Sequence, residues 1–581
     1  MTIAGEEDMA FIRTVKVKTS SGKIEEYVRI VESYREGGAQ KQRVVAHLGN
    51  INSLKSDAKK LVNGLLRVVG EKSLTFASEG RLLRAKEYGV RFVVEALWDE
   101  LGFNILVKKH LRQSKADLDY SRWIRMMVAN KLSDPESKLG IFRWLHRVWW
   151  PGHGFQEEVL NESLNPEKQL ELSRVEVMKF YRAMDYLFKM KEEIENHTYH
   201  LVRDLFHLEV DLIFYDLTSS YFEGEGPDGL AEKGYSRDNE PGKNQIVVGI
   251  LMCNGMPIGH EVFEGSRVDK KTVKEISEKM KNQFKINRCI FVGDRGLISK
   301  ENLKELEDEK KFESILALKR RRNREVKKML FNEGRPLIFC RESEEFEWLE
   351  AKGDEGIRYI ICRNPSVEVE QREQRERNIA LLEESLKELT TKVNAMKHPL
   401  IKNIIKQVEE ILKHKHGRRF IDYEVDEKTR KLDFWRKEEA LLLEKKLDGV
   451  YILRTREEAL SPLEVVKAYK DLMVVERAFR TMKSSLDLRP LRHHKANRVR
   501  SHVFICFLAF FFAKYLEKKL TENEVSLSAD MAWESLKNLS VGQLDFSGIT
   551  HSYVSEPTHY HKLIFKSLGL KPPNRTSIQT N

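Results

Sequence analysis

The chain of 581 residues is poor in cysteine and has no cysteine motif. Its five cysteines form no Cys-x-x-Cys spacing: they are Cys253, Cys289, Cys340, Cys362 and Cys506. The sequence therefore predicts neither a disulfide framework nor a cysteine-bound zinc site, and the scattered thiols are typical of a reducing cytoplasm. A histidine zinc site is not expected either, because His414 and His416 lack companion ligands.

Long apolar runs and targeting signals are also missing. The first ten residues, MTIAGEEDMA, are acidic and contain no basic stretch before an apolar one, so no targeting segment is predicted. The most apolar run, residues 503–513, is too short to span a bilayer and predicts a buried core helix. We therefore expect a cytoplasmic protein with no membrane partner.

Basic residues outnumber acidic ones. The chain has 101 Lys and Arg against 90 Asp and Glu, a formal charge of +11. Such a surplus favours a phosphate-rich partner such as double-stranded DNA, because lysine and arginine displace condensed counterions. A soluble basic protein without a nucleic-acid partner has the same net charge, so charge alone leaves both interpretations open.

The length predicts several domains, since one compact core rarely exceeds about 300 residues. The predicted segments are an N-terminal β-rich region with linker (1–80), a helical domain (81–205), the first part of a core (206–320), an insertion domain (321–450), the second part of the core (451–520) and a C-terminal tail (521–581). The helical domain carries regularly spaced basic residues, namely Arg122, Arg125, Lys131, Lys138, Arg143 and Arg147. They fit a DNA-binding domain and the solvated faces of a helical bundle equally well.

Residues 206–320 predict the order strand, hairpin, helix, strand, helix, strand. Asn254-Gly255 fits a type I′ hairpin turn, and the apolar runs CIFVGD and ESILALK are typical of strands covered on both faces. This order matches a ribonuclease-H-like α/β core with a mixed sheet. The change in composition after residue 320 predicts that an α+β insertion domain interrupts this core.

Three acidic residues occupy well-defined positions. Asp216 ends the apolar run LIFYD, Asp294 ends CIFVGD, and Glu476 lies in the helix PLEVVKAYKDLMVVERAFRTMK. Sites in open α/β sheets form at the carboxyl ends of strands, so we expect Asp216 and Asp294 at strand ends. Two strand-end carboxylates and one helical carboxylate can hold two hard divalent cations against a phosphate.

The helix that carries Glu476 has a clear start. Ser461, Pro462 and Glu464 form the pattern of an N-cap serine, a first-turn proline and a capping-box glutamate. At about 100° per residue from that start, Tyr469, Leu472, Glu476 and Lys483 fall within an arc of about 60°. We therefore expect a tyrosine, a carboxylate and a lysine on one face of a single helix.

These residues resemble the DDE transposases of bacterial insertion sequences, in particular the cut-and-paste group with a Tyr-x2-Arg-x3-Glu-x6-Lys signature. Tyr469, Glu476 and Lys483 match the signature at its spacing, and Leu472 stands at the arginine position. The phosphate contact of that arginine is then absent or supplied by Arg477 or Arg480. The dipeptide Asp294-Arg295 and the run VERAFRTMKS are also similar to this group, and the resemblance covers about 206–520.

The resemblance implies that Asp216, Asp294 and Glu476 bind two Mg²⁺ ions, for which Mn²⁺ can substitute. It further implies cleavage at terminal inverted repeats and joining of the 3′ ends to target DNA by a homodimer assembled on DNA. Tyr469 and Lys483 would then contact DNA near the scissile phosphate. A nuclease on the same fold that cuts without joining, and a domesticated DNA-binding protein, are the alternatives.

Further basic residues are candidate DNA contacts. Arg295 is predicted to position a phosphate or a metal-binding carboxylate, although a surface salt bridge explains it nearly as well. Arg480 is predicted to contact DNA. The same prediction applies to a dense basic patch after the signature helix, which includes Arg492 and Lys495. The basic run 319–328 either contacts a DNA backbone or is a solvated stretch without a partner.

Overall fold

The computed structural model describes most of the chain. The described residues are 10–69, 80–161, 165–206, 211–287, 289–294, 297, 299–318, 339–343, 346–353, 356–396, 400–546 and 549–574. The strands are β1 (Ala10–Lys18), β2 (Ile24–Glu36), β3 (Ala39–Asn50), β4 (Gly80–Glu87), β5 (Asp211–Tyr221), β6 (Gln245–Cys253), β7 (Met256–Glu264), β8 (Cys289–Gly293), β9 (Glu313–Ala317), β10 (Cys340–Ser343), β11 (Phe346–Lys352), β12 (Arg358–Arg363), β13 (Ile421–Val425), β14 (Leu432–Arg436), β15 (Val450–Thr455), β16 (Ser540–Phe546) and β17 (Ile549–Val554).

The α-helices are α1 (Ile51–Val68), α2 (Gly89–Glu100), α3 (Phe103–Gln113), α4 (Ser121–Ser133), α5 (Ile141–Arg147), α6 (Pro166–Lys189), α7 (Lys191–Phe206), α8 (Val273–Glu278), α9 (Lys300–Leu303), α10 (Pro365–Ala395), α11 (Ile401–Lys413), α12 (Glu438–Leu447), α13 (Pro462–Asp471), α14 (Met473–Ser484), α15 (Ala496–Glu522), α16 (Ala529–Lys537) and α17 (His559–Ser567). Two π-helical segments, Lys279–Gln283 and Lys304–Glu309, directly follow α8 and α9.

The chain divides into two compact units, 1–85 with 542–554 and 575–581, and 86–541 with 555–574. In the first unit β1, β2 and β3 form an antiparallel sheet, and Gly37 and Gly38 adopt positive φ angles in the turn between β2 and β3. The predicted β-rich character of the N-terminal region is thereby confirmed. The six predicted domain boundaries remain predictions, although the predicted tail contains α16, β16, β17 and α17.

A helical bundle in the second unit surrounds α15. This helix is long and apolar enough to cross a membrane by length and composition, yet 89% of its most apolar window is buried within the protein. Trp98 of α2 stacks on Phe512 with ring centroids 5.9 Å apart, which shows the aromatic packing around α15. The predicted core helix is confirmed, and it is longer than the apolar run because flanking polar residues continue it.

Two of the basic residues predicted for DNA contact or solvent are in fact buried in this bundle. Lys131 donates a hydrogen bond of 3.0 Å from Nζ to the backbone oxygen of Asp487. Burial and the charge of Lys131 lower the pKa of Lys138 to about 7. Both interpretations of these two lysines were wrong, because the periodicity did not reveal that α4, which carries Lys131, and the segment after it, which carries Lys138, are covered by other parts of the protein.

The core of the second unit is a sheet of nine strands in the order β10-β11-β12-β15-β9-β8-β5-β6-β7. Strands β5, β8 and β9 are parallel, and β6 runs antiparallel between β5 and β7. Asn254 and Gly255 turn β6 into β7 with positive φ angles, as predicted. With helices in the same unit, this mixed sheet confirms the ribonuclease-H-like α/β core.

The inserted segment contributes to two structures. Its strands β10, β11 and β12 extend the large sheet beyond β15. Its helices α10, α11 and α12 and the hairpin β13–β14 enclose a separate apolar cluster that includes Leu386, Val408 and Leu432. The α+β insertion is therefore confirmed, and part of it continues the core sheet.

Candidate active site

Asp216 and Asp294 lie on adjacent strands at the same level of the sheet. The parallel pairing of β5 with β8 ends at the pair Tyr215 and Gly293, and each aspartate is the next residue of its chain. Asp294 directly follows β8, as predicted. The strand register thus places the two carboxylates beside each other at the carboxyl end of β8.

The prediction that Asp216 ends its strand was wrong. Strand β5 continues to Tyr221 because its other neighbour, β6, pairs with it along the whole length, with Asp216 opposite Ile250. Only the parallel neighbour stops at this level. The apolar run LIFYD marks where both sides of β5 are paired, and the sequence could not show that β6 supports the strand further.

The carboxylates interact through their charges. The pKa of Asp216 is raised to about 7, mainly by burial and also by the charges of Asp294 and Glu476. A hydrogen bond from the backbone of Leu217 and the charge of Arg237 oppose this rise. The helix that carries Glu476, α14, packs against β5, the strand of Asp216. Glu476 is therefore close enough for its charge to contribute to the pKa of Asp216.

The signature helix starts as predicted and then departs from the prediction. Ser461 caps α13: its Oγ accepts from the backbone N–H of Glu464 at 3.3 Å, and its own N–H donates to Glu464 at 2.8 Å. The helix is interrupted at Leu472, however, and continues as α14. The N–H of Leu472 bonds to Tyr469 O and that of Val475 to Leu472 O, both three residues back. Such tighter turns alter the helical phase.

The three signature side chains accordingly meet different partners. The hydroxyl of Tyr469 donates to Asp294 Oδ1 at 3.4 Å. Glu476 is exposed and acts on Asp216 through its charge. Lys483 donates from Nζ to Asp238 Oδ1 at 2.7 Å, so its ammonium is not directed to the aspartate pair. Leu472, at the signature arginine position, is buried with 6% of its surface exposed.

Of the remaining predicted DNA contacts, three lie in the described part of the chain and the others do not. Arg480, Arg492 and Lys495 are exposed, as a DNA contact requires. Arg295 and the basic run 319–328 lie outside the described residues. The sequence interpretation missed Arg237 and Asp238, which lie in the loop between β5 and β6 and have no periodic pattern to reveal them.

The donor set fits a hard divalent cation. Carboxylate oxygens are its preferred ligands, and a cation would offset the burial and the like charges that together raise the pKa of Asp216. Among the residues described, however, no group of three or more His, Cys, Asp or Glu side chains is already arranged to hold a metal ion. The carboxylates therefore fit by chemistry and position, and their side chains would have to turn toward a bound ion.

Comparison with known families supports this picture. Residues 211–512, more than half of the chain, match the family described as the transposase DDE domain. Residues 12–78 match the N-terminal domain of the IS1634 family transposases. No curated protein matches the chain. The first match spans β5 with Asp216, β8 with Asp294 directly after it, and α14 with Glu476.

Proposed function

The chain belongs to the DDE transposase family, and we propose that it cuts DNA at the terminal inverted repeats of an insertion sequence and joins the 3′ ends to target DNA. Transposases bind DNA, and DDE domains in general use divalent metal ions. One observation supports the proposal of metal-dependent cleavage and joining. Asp216 and Asp294 follow the paired residues of two adjacent parallel strands at one level, and the charge of Glu476 contributes to the pKa of Asp216.

Asp216, Asp294 and Glu476 are the proposed metal ligands, for two Mg²⁺ ions or for Mn²⁺ in their place. When bound, such ions supply activation of the attacking water or 3′-hydroxyl and stabilise the leaving oxygen. The neighbouring residues of the chain orient the ligands. Tyr469 holds the carboxylate of Asp294 by its hydroxyl, and Arg237 lowers the proton affinity of Asp216.

The exposed cations Arg480, Arg492 and Lys495 are proposed to bind the phosphate backbone, as is Arg295. Each such contact displaces condensed counterions from DNA, so binding to the repeats should weaken as salt rises. Joining two element ends in one reaction favours a homodimer assembled on DNA. Lys483 is not among these proposed phosphate contacts, because its ammonium contacts Asp238 in the structure.

The test uses purified protein and oligonucleotides that carry the inverted repeats flanking the coding region. Wild-type protein with Mg²⁺ should yield both nicked and joined strands on a denaturing gel. Asp294→Ala should reduce both products by at least about 10³-fold, because it removes a proposed metal ligand worth several kcal/mol in the transition state. Binding to the repeats should stay within about twofold, because phosphate contacts are unaffected.

Asp204→Ala is the matched control, since Asp204 is exposed on α7 and outside the proposed site. Its products should equal those of the wild type. Full activity of Asp294→Ala would contradict the metal assignment. Nicked products without joined ones would identify a nuclease, and repeat binding without either product would identify a domesticated DNA-binding protein.

A further inference from the structure

Asp238 is a buried carboxylate between two cations. Its Oδ1 accepts from Lys483 Nζ at 2.7 Å and from Arg489 NH1 at 2.6 Å. The side chain of Asp238 is 3% exposed and that of Lys483 is 10% exposed. The second carboxylate oxygen, Oδ2, is buried and has no hydrogen-bond partner in the described part of the chain. One buried carboxylate therefore binds two basic groups.

The two cations belong to the segment that follows Glu476. Lys483 lies on α14, two turns after Glu476. Arg489 lies beyond the end of α14, in a stretch that is hydrogen-bonded to the end of β5. There the N–H of Leu491 donates to Tyr221 O and the N–H of Glu223 donates to Leu491 O, both at 2.9 Å.

The loop that carries Asp238 is itself held against β5. The backbone N–H of Arg237 donates to Ser219 Oγ at 2.8 Å, and Ser219 lies three residues after Asp216 on the same strand. The guanidinium of Arg237 donates to Asp269 at 2.5 Å. A continuous chain of polar contacts thus links the strand of Asp216, through this loop, to the helix of Glu476.

A buried carboxylate with an unsatisfied oxygen is a poor source of stability, because its desolvation offsets much of the attraction to its partners. Such a group is useful where it fixes the relative position of elements. The buried residues of α14 are apolar and include Val475 and Phe479, and apolar packing is less directional than ion pairs.

We propose that Asp238 is a positioning residue: by binding Lys483 and Arg489 it holds α14 against the strand of Asp216 and so fixes Glu476 over the aspartate pair. Its effect on cleavage rests on the proposed function, whereas its effect on α14 does not. The signature lysine then acts through Asp238, rather than through a phosphate, in this conformation of the protein.

The first test needs no DNA. Hydrogen exchange of backbone amides in residues 473–484 is compared between the wild type, Asp238→Asn and the control Asp228→Asn. Asp228 is exposed in the same connection between β5 and β6. Asparagine keeps the size of the side chain and removes its charge, so exchange in α14 should be about tenfold faster in Asp238→Asn and unchanged in Asp228→Asn. Equal exchange in all three proteins would overturn the proposal.

The second test measures the Mg²⁺ concentration that gives half-maximal cleavage of the repeat oligonucleotides. It should rise about tenfold or more in Asp238→Asn, as expected when a ligand loses an orienting partner. Asp238→Glu should recover part of the loss. The double variant with Lys483→Gln should be no worse than Asp238→Asn alone, because Asp238→Asn already breaks the ion pair with Lys483.

An unchanged Mg²⁺ requirement, or additive losses in the double variant, would overturn the positioning role. If Asp238→Asn does not fold, Lys483→Gln replaces it in both tests with the same expectations. If the wild type cuts no DNA, the proposed function fails, and the exchange experiment still decides whether Asp238 positions α14.

Discussion

The carboxylates of the proposed site are held in two different ways. Asp216 and Asp294 belong to adjacent strands, and the hydrogen-bonded register of β5 and β8 sets their separation. Glu476 belongs to an exposed position of α14, which begins after an interruption at Leu472. Strand register fixes a side chain through many backbone bonds, whereas a helix is placed mainly by the residues on its packed face.

This contrast indicates how the site tolerates change. The aspartate pair lies in a covalently and hydrogen-bonded frame that has little freedom to move. The helix can shift, and the ion pairs from Lys483 and Arg489 to Asp238 restrict that shift. We therefore expect a change of one methylene group in side-chain length to have a larger effect at Asp216 than at Glu476.

The largest expected effect comes from exchanging the lengths of the acidic side chains. Asp216→Glu moves the carboxylate one methylene group further from a strand whose position is set by backbone hydrogen bonds. Cleavage of the repeats should therefore fall by about 10²-fold or more. Glu476→Asp shortens a side chain on a helix that can adjust, so the loss should be about tenfold. Single-turnover cleavage rates at saturating Mg²⁺ measure both.

Circular dichroism spectra of the two variants serve as the control for folding, and both should match the wild type. A greater loss in Glu476→Asp than in Asp216→Glu would break the contrast. It would mean that the helix is held as rigidly as the strands.

A smaller effect should follow from restoring the signature arginine. Leu472 is 6% exposed at the junction of α13 and α14, so Leu472→Arg buries a cation without a partner. The free energy of unfolding should fall by about 3 kcal/mol, measured by urea denaturation. Met473→Arg is the matched control: Met473 is 53% exposed, and its replacement should change stability by less than about 0.5 kcal/mol.

Wild-type stability of Leu472→Arg together with faster cleavage would show that the junction is open to a phosphate-binding arginine. The junction would then not be set by apolar packing. Loss of stability in both variants would instead indicate that an arginine at this junction is unfavourable whether it is buried or exposed.

The parts of the site that sequence reasoning could predict are those with local signals. The capped start at Ser461 depends on residues three apart, and the strand before Asp294 is marked by an uninterrupted apolar run. The order of strands followed from the same runs and gave the ribonuclease-H-like core. Local patterns of this kind are strong because each depends on one element at a time.

The missed features depend on residues that are distant in the chain. The extension of β5 beyond Asp216 comes from its pairing with β6, and the contact of Lys483 with Asp238 spans 245 positions. Leucine favours helices, so the sequence contains no helix-breaking residue that would predict the interruption at Leu472. Lys131 and Lys138 also seemed ordinary surface residues until the bundle around α15 covered them.

The central claim is that Asp216, Asp294 and Glu476 form one metal site. The most direct measurement is the anomalous scattering of Mn²⁺ in crystals of the protein bound to its repeat DNA. We expect Mn²⁺ in contact with both Asp216 and Asp294, with Glu476 turned toward it, and no such peak in Asp294→Ala. Mn²⁺ bound elsewhere, or an identical peak in Asp294→Ala, would contradict it.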